Sequence, residues 1–184
     1  MSRRKCFLLG FALIAATAVL LLAMGRIPIC DCGYVQFWTP ADDLAGSSQH
    51  IADWYTFSHV IHGFIFYWVL WLAFRRHTVC ERALGAILIE AAWEIVENSP
   101  WIIDRYREAT IAVGYTGDSV LNSVFDILWM LAGFVFAWRL PVWVTVLTAI
   151  VFELLALWVI RDNLTLNVLM LVYPVDAIRI WQGG

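Results

Sequence analysis

The chain of 184 residues is strongly apolar, since 62% of its residues are hydrophobic and only 15% are charged. A soluble domain is about half apolar and about a quarter charged, so this composition indicates an integral membrane protein. The formal net charge is −3. The sequence has no basic patch interleaved with aromatic residues, which argues against a nucleic-acid partner.

Five apolar runs follow one another along the chain, and each is close to the roughly 20 residues that a membrane-crossing helix needs. A shorter apolar stretch at 164–172 ends before Pro174 and predicts an interfacial or re-entrant segment. The predicted fold class is all-α, a single membrane domain over 1–184 with about five transmembrane helices. The expected spans are 6–24, 55–74, 83–103, 120–138 and 142–160, with a periplasmic loop at 26–54.

The third expected span carries three acidic residues, Glu90, Glu94 and Glu97, at positions i, i+4 and i+7 of one helical stripe. A four-span arrangement that leaves 83–118 in the cytoplasm agrees better with the distribution of arginines. A narrow acidic stripe on an otherwise apolar cylinder nevertheless favours a spanning helix whose stripe faces other helices. The basic start of the chain, Arg3 to Lys5, predicts a cytoplasmic N-terminus in a bacterial inner membrane.

Ionisable and amide side chains recur at a similar depth on four of the expected helices, as judged from a rise of about 1.5 Å per residue. Because lipid cannot satisfy such groups, we expect them to face one another and to line one polar cavity open to the outer side. The side chains expected to line it, besides the pair Glu94 and Glu97, are His59, Glu90, Asp118, Asn122, Asp126 and Glu153.

Imidazoles and carboxylates together form a ligand set suited to a divalent metal ion such as Zn²⁺, Mn²⁺ or iron. We expect such an ion to be held by His59, His62, Glu94 and Glu97, with Glu94, Glu97 and His62 as candidate catalytic residues. Three alternatives stay open, namely acid–base chemistry without a metal, proton or cation transport, and interhelical hydrogen bonding in a structural or assembly protein. Whether the protein is an enzyme is therefore left open.

The four cysteines are Cys6, Cys30, Cys32 and Cys80. No pair has the C-x-x-C spacing, and the "CDC" stretch is too tight for an easy internal disulfide. We expect these cysteines to be small residues of the chain rather than redox or metal-binding groups.

The polar motifs occur in the order H-x-x-H-G, E-x-x-x-E-x-x-E-N and G-Y-x-G-D-S-x-x-N-S-x-x-D, and the chain closes on "DNLTLNVLMLVYPVDAIRIWQ". This order resembles a family of small uncharacterised bacterial multi-pass inner-membrane proteins. More distantly, the polar positions are similar to those of VanZ-like membrane proteins, which are linked to glycopeptide resistance and envelope lipids. The resemblance implies binding of, or action on, an envelope lipid or lipid-linked substrate. The positions that match it are His62, Glu94, Glu97, Asp118, Asn122 and Asp126.

Overall fold

A computed structural model of the protein describes residues 1–183, which form eight α-helices and no strand. Within this part of the chain, four helices are long and apolar enough to cross a membrane, namely α1, α2, α5 and α6. Helix α3 is of similar length but carries five charged residues. The helices are α1 (Arg3–Ala23), α2 (Thr56–Ala73), α3 (Val79–Glu97), α4 (Pro100–Ala109), α5 (Val120–Arg139), α6 (Val142–Ile160), α7 (Leu164–Val172) and α8 (Asp176–Gly183).

The third predicted helix is the one whose bounds differ most from the structure. The expected run over 83–103 consists of two helices, because α3 ends at Glu97 and α4 begins at Pro100. Ser99 is the N-cap of α4, where its hydroxyl oxygen accepts a hydrogen bond from a backbone N–H, and a proline at the first helical position has no N–H that needs a partner. The apolar character continues across this break, so hydropathy alone did not predict it.

Helices α2 and α5 form the closest helix pair of the bundle, and two glycines make this contact possible. A Cβ atom added at Gly63 would collide with the carbonyl oxygen of Met130, and one added at Gly133 would collide with the carbonyl oxygen of Val60. Small residues at such positions allow two helix backbones to approach closely. The apolar core beside this contact consists of Leu70, Ala86, Ile87, Ala91, Ile127, Met130 and Phe134.

The cysteines differ from the sequence-based expectation, because their sulfur atoms are paired. Cys6 is bonded to Cys80, and Cys30 is bonded to Cys32. The first pair joins the beginning of α1 to the beginning of α3, so these two helices start at the same end of the bundle. Spacing along the sequence could not predict this pair, because 74 residues separate its members.

Candidate metal centre

Four ionisable side chains from three helices meet inside the bundle. His59 comes from α2, Glu90 and Glu94 come from α3, and Asp126 comes from α5. All four are buried, and both glutamates have no exposed surface. The glycine contact holds α2 and α5 together, and the acidic stripe of α3 faces this pair of helices. These four residues are called the buried cluster below.

The imidazole of His59 lies between carboxylates on both of its edges. Its Nδ1 atom is 2.7 Å from Oε1 of Glu90, and its Nε2 atom is 3.7 Å from Oδ2 of Asp126. The Nδ1 atom of His62 is 3.1 and 3.2 Å from the two oxygens of Glu90. Because an ionised carboxylate only accepts hydrogen bonds, Nδ1 is the donor in both rings. The Nε2 atom of His59 is then the ring nitrogen that faces Asp126.

The carboxylate of Glu94 has no hydrogen bond within the described residues. Both of its oxygens are buried. The nearest cationic group is His59, whose Nδ1 atom is 3.7 Å from Oε1 of Glu94. Burying a carboxylate without a partner is costly, so this site needs a bound cation or a proton. His59, Glu94 and Asp126 each offer one ligand atom, and these atoms lie within 4.8 Å of one another.

A second layer of hydrogen bonds is centred on Asp118, just before α5. Its two carboxylate oxygens accept hydrogen bonds from Asn98 Nδ2 and from the Tyr115 hydroxyl, both at 2.8 Å, and its own N–H donates to Asn98 Oδ1 at 2.7 Å. Burial raises the pKa of the Asp118 carboxyl above its ordinary value, whereas the hydrogen bonds from Tyr115 and Asn98 oppose that rise. This layer fixes the segment before α5 against the end of α3.

The loop between α1 and α2 is attached to α5 by further hydrogen bonds. Asn122 donates from Nδ2 to the carbonyl oxygen of His50 at 2.9 Å, and Ser119 donates from its hydroxyl to the carbonyl oxygen of Gln49 at 3.0 Å. His50 is itself buried, and it lies near the disulfide of Cys30 and Cys32, whose sulfur atoms would form a ligand set with it only after reduction to thiolates. Its Nε2 atom is 4.0 Å from the sulfur of Cys32.

The structure brings together some of the residues predicted to share one cavity, and it separates others. His59, Glu90, Glu94 and Asp126 form the buried cluster, and Asp118 and Asn122 belong to the adjacent layer. Glu153 lies elsewhere, because its carboxylate accepts hydrogen bonds from the backbone N–H groups of Leu164 and Thr165 and so caps α7. A carboxylate interacts favourably with the N-terminus of a helix, which explains why Glu153 faces the start of α7.

The four residues predicted to hold a metal do not form one ligand set in the structure. His62 contacts Glu90, and these two residues with His59 form a separate possible set. Glu97 is half-buried at the end of α3, where it faces Tyr106 and Asp118. Asp126 is in the set that contains Glu94, although the sequence placed it only in the cavity.

Sequence reasoning missed three polar residues near the cluster, Asn98, Tyr115 and His50. Asn98 follows the acidic stripe directly and is almost fully buried. It stands four residues after Glu94 and eight after Glu90, and this spacing was the available signal. No comparable pattern singles out His50, because it approaches the cluster through a long loop.

Comparisons with known proteins give a consistent family but no activity. A family profile described as "Protein of unknown function (DUF2585)" matches residues 21–184. The chain is 60% identical to a UPF0314 protein of Agrobacterium fabrum, over 98% of this chain and 91% of that protein. It is 58% identical to a UPF0314 protein of Sphingopyxis alaskensis, over 98% of this chain and 96% of that protein. No solved structure matches the chain.

Proposed function

We propose a function for this chain, which belongs to the DUF2585 family of unknown function. It is a multi-pass bacterial inner-membrane protein that binds a divalent metal ion through His59, Glu94 and Asp126. The ion holds an oxygen of an envelope lipid, such as a phosphate or ester oxygen. Four apolar helices support the membrane location, and the buried cluster supports the metal.

The observation that carries the metal proposal is the buried carboxylate of Glu94, whose oxygens have no partner within the described part of the chain. A divalent cation would compensate this charge and that of Asp126 together. One imidazole nitrogen and two carboxylates form a ligand set found around Zn²⁺, Mn²⁺ and Fe²⁺. Glu90 would act as a positioning residue, because a carboxylate on Nδ1 of a metal-binding histidine orients the ring and makes Nε2 a better ligand.

The proposed lipid ligand follows from the number of protein ligands and from the surroundings of the site. Three protein ligands leave a coordination position for water or for a ligand oxygen. A divalent ion at such a position polarises a phosphoryl or carbonyl oxygen and lowers the pKa of a bound water molecule. The helices around the cluster present large apolar side chains outward, so lipid would surround the bundle that encloses the site. The similarity of the polar motifs to VanZ-like proteins points to the same class of ligand.

The proposed topology has five crossings, α1, α2, α3, α5 and α6, with the N-terminus in the cytoplasm. The Cα atoms of Cys6 and Cys80 lie 6.2 Å apart, which puts the beginnings of α1 and α3 at one end of the bundle. Successive crossings then bring the C-terminal ends of α2 and α5 to that end. Cationic side chains gather there, as the positive-inside rule requires. They are Arg3, Arg4, Lys5, Arg75, Arg76, Arg82 and Arg139.

Thiol labelling tests this topology. In a variant whose native cysteines are replaced by serine, a cysteine at Val113, which is 70% exposed, should react with an impermeant reagent in intact cells. The control is a cysteine at Leu140, between α5 and α6, which should react only in inverted vesicles. Labelling of Leu140→Cys and protection of Val113→Cys in intact cells would contradict the orientation.

One observation favours a second function, which is proton transfer without a metal. Glu90, His59 and Asp126 follow one another as carboxylate, imidazole and carboxylate from α3 to α5. The first two are 2.7 Å apart and the last two are 3.7 Å apart. Chains of this kind carry protons in membrane pumps and transporters. In that function Glu94 would carry a proton instead of binding a metal ion.

Elemental analysis of the purified protein separates the two functions. The wild-type chain should retain a stoichiometric divalent metal, and Glu94→Gln should lose it, because the amide keeps the shape of the side chain and removes its charge. Glu97→Gln is the matched control, since Glu97 lies one turn away on the same helix and outside the ligand set. It should keep the metal. A wild-type protein that stays metal-free after incubation with Zn²⁺, Mn²⁺ and Fe²⁺ would overturn the metal proposal and leave proton transfer.

A further inference from the structure

A buried arginine at the opposite end of α3 has no acceptor for its hydrogen bonds. Arg82 is 8% exposed, and its Nε and Nη1 atoms are buried without a hydrogen-bond partner among the described residues. Its guanidinium lies 5.8 Å from the centre of the Tyr67 ring, which supports the flat face of the cation. The ring does not satisfy the N–H groups at the edge of the guanidinium. A buried cation in this state lacks an anionic partner.

Arg82 lines a cleft at the turn between α2 and α3. The cleft has a volume of about 170 Å³, and an adjoining cavity of about 350 Å³ shares Phe74 and His77 with it and adds Arg75 and Arg76. One wall is apolar and the other is basic. The residues that line the first cleft are Leu70, Phe74, His77, Glu81, Arg82 and Gly85.

Glu81 is the single acidic residue among those lining these two cavities, and its carboxylate is already engaged. Its Oε2 atom accepts a hydrogen bond from the backbone N–H of Thr78 at 2.9 Å, and its Oε1 atom lies 3.3 Å from the N-terminal ammonium of Met1. Glu81 therefore completes the cap of α3 and does not pair with Arg82. The charged side chains of the cleft that remain without a partner are therefore positive.

We propose that this cleft binds the phosphate group of an anionic phospholipid, with the guanidinium of Arg82 as its main ligand. The fork of N–H groups on a guanidinium matches the oxygens of a phosphate and binds them through charge-assisted hydrogen bonds. Such a phosphate would supply the acceptor that Nε and Nη1 lack. This inference rests on the proposed membrane location, but it does not depend on the metal.

A phospholipid fits this cleft better than free inorganic phosphate does, because the cleft has an apolar wall. Leu70 and Phe74 form that wall. Phe74 is partly exposed, and the apolar surface continues from it to the exposed side chain of Leu72 at the end of α2. Arg75 lies 4.6 Å from the centre of the Trp71 ring at the same level. Tryptophan and arginine together are typical of the headgroup region of a bilayer, and basic pockets between helices on the cytoplasmic side bind anionic headgroups.

The test uses the full chain in nanodiscs or detergent and measures the binding of phosphatidylglycerol and phosphatidylcholine by native mass spectrometry. The wild-type protein should retain phosphatidylglycerol in preference to phosphatidylcholine. Arg82→Gln should weaken that retention by about tenfold or more, as expected for the loss of a charge-assisted pair. Arg139→Gln is the matched control, because Arg139 lies at the same end of the bundle but packs on the exposed ring of Trp138 outside the cleft. It should bind as the wild type does.

Each other outcome overturns the inference in a distinguishable way. Equal losses in the two variants would mean that diffuse positive charge, rather than the cleft, retains the lipid. Displacement of phosphatidylglycerol by millimolar inorganic phosphate would assign the site to a free anion. If Arg82→Gln fails to fold, Arg82→Lys keeps the charge without the fork, and retention equal to that of the wild type would exclude a bidentate site. Recovery of the wild-type chain in the soluble fraction without detergent would instead remove the membrane premise.

Discussion

Helices α3 and α6 have the same length of 19 residues but opposite distributions of polar and apolar surface. Helix α6 buries only Thr145 and Ala156, and its Trp158 is 81% exposed. Helix α3 buries six residues on one face, and three of them are charged. The buried residues of α3 are Arg82, Ala86, Ile87, Glu90, Ala91 and Glu94.

Burial in this bundle follows polar partners and close packing rather than hydrophobicity. In water the more apolar of two helices would occupy the interior. In lipid an exposed leucine costs nothing, whereas an exposed carboxylate costs several kcal/mol, on the order of 3 on insertion scales. The positions of the apolar α6 at the periphery and of the acidic α3 between its neighbours are therefore those expected in the proposed membrane location.

The largest expected change in the free energy of unfolding comes from truncating a packed apolar residue of α3, compared with an exposed one of α6. Ile87→Ala on α3 removes a buried side chain of the apolar core and should lower the free energy of unfolding in detergent by about 2–5 kcal/mol. Leu154→Ala on α6 removes an exposed side chain and should change it by no more than about 0.5 kcal/mol. Denaturation curves of the two variants measure this difference. Similar losses in both would mean that α6 packs against a partner in the native protein.

Replacing Glu94 and Glu153 by leucine should change the free energy of unfolding by smaller amounts, and the two changes should have opposite signs. In metal-free protein, Glu94→Leu should raise the free energy of unfolding by about 1–3 kcal/mol, because it removes a buried carboxylate that has no partner. Glu153→Leu should lower it by about 1 kcal/mol, because it removes the cap of α7. Thermal denaturation in the presence of a chelator measures both changes. A destabilised Glu94→Leu variant would show that Glu94 has a structural partner and is not held for an ion.

The bounds of α5 and α6 were predicted almost to the residue, because each apolar run is bounded by a strong local signal. Ser119 caps α5, and Pro141 precedes α6. The break between α3 and α4 was missed, although Ser99 and Pro100 form an N-cap and first-position pair that the sequence displays. Hydropathy outweighed that signal, because the apolar side chains continue through Ile103.

Only part of the candidate site was predicted from the sequence, and the reason is geometric. Helical rise gives the depth of a residue, so it placed Glu94 and Asp126 at a common level. The side of the helix that faces a partner depends on packing, which a single sequence does not reveal. Glu153 has a suitable depth but faces α7, and Glu97 lies at a helix end that turns towards Tyr106. His50 was missed because only tertiary contacts bring its loop to α5.

We propose that the buried cluster, and no other group of the described residues, holds the metal ion. X-ray absorption spectroscopy of the zinc-loaded full chain and of its Glu94→Gln variant tests it most directly. Of the two competing ligand sets, that of Cys30, Cys32 and His50 contains sulfur, and that of His59, His62 and Glu90 does not include Glu94. A site at His59, Glu94 and Asp126 gives only nitrogen and oxygen neighbours at about 2.0–2.2 Å. This spectrum is the predicted result, and it should disappear in Glu94→Gln. Sulfur neighbours at about 2.3 Å would assign the ion to His50 with the thiolates of Cys30 and Cys32, their disulfide having been reduced, and would contradict this proposal.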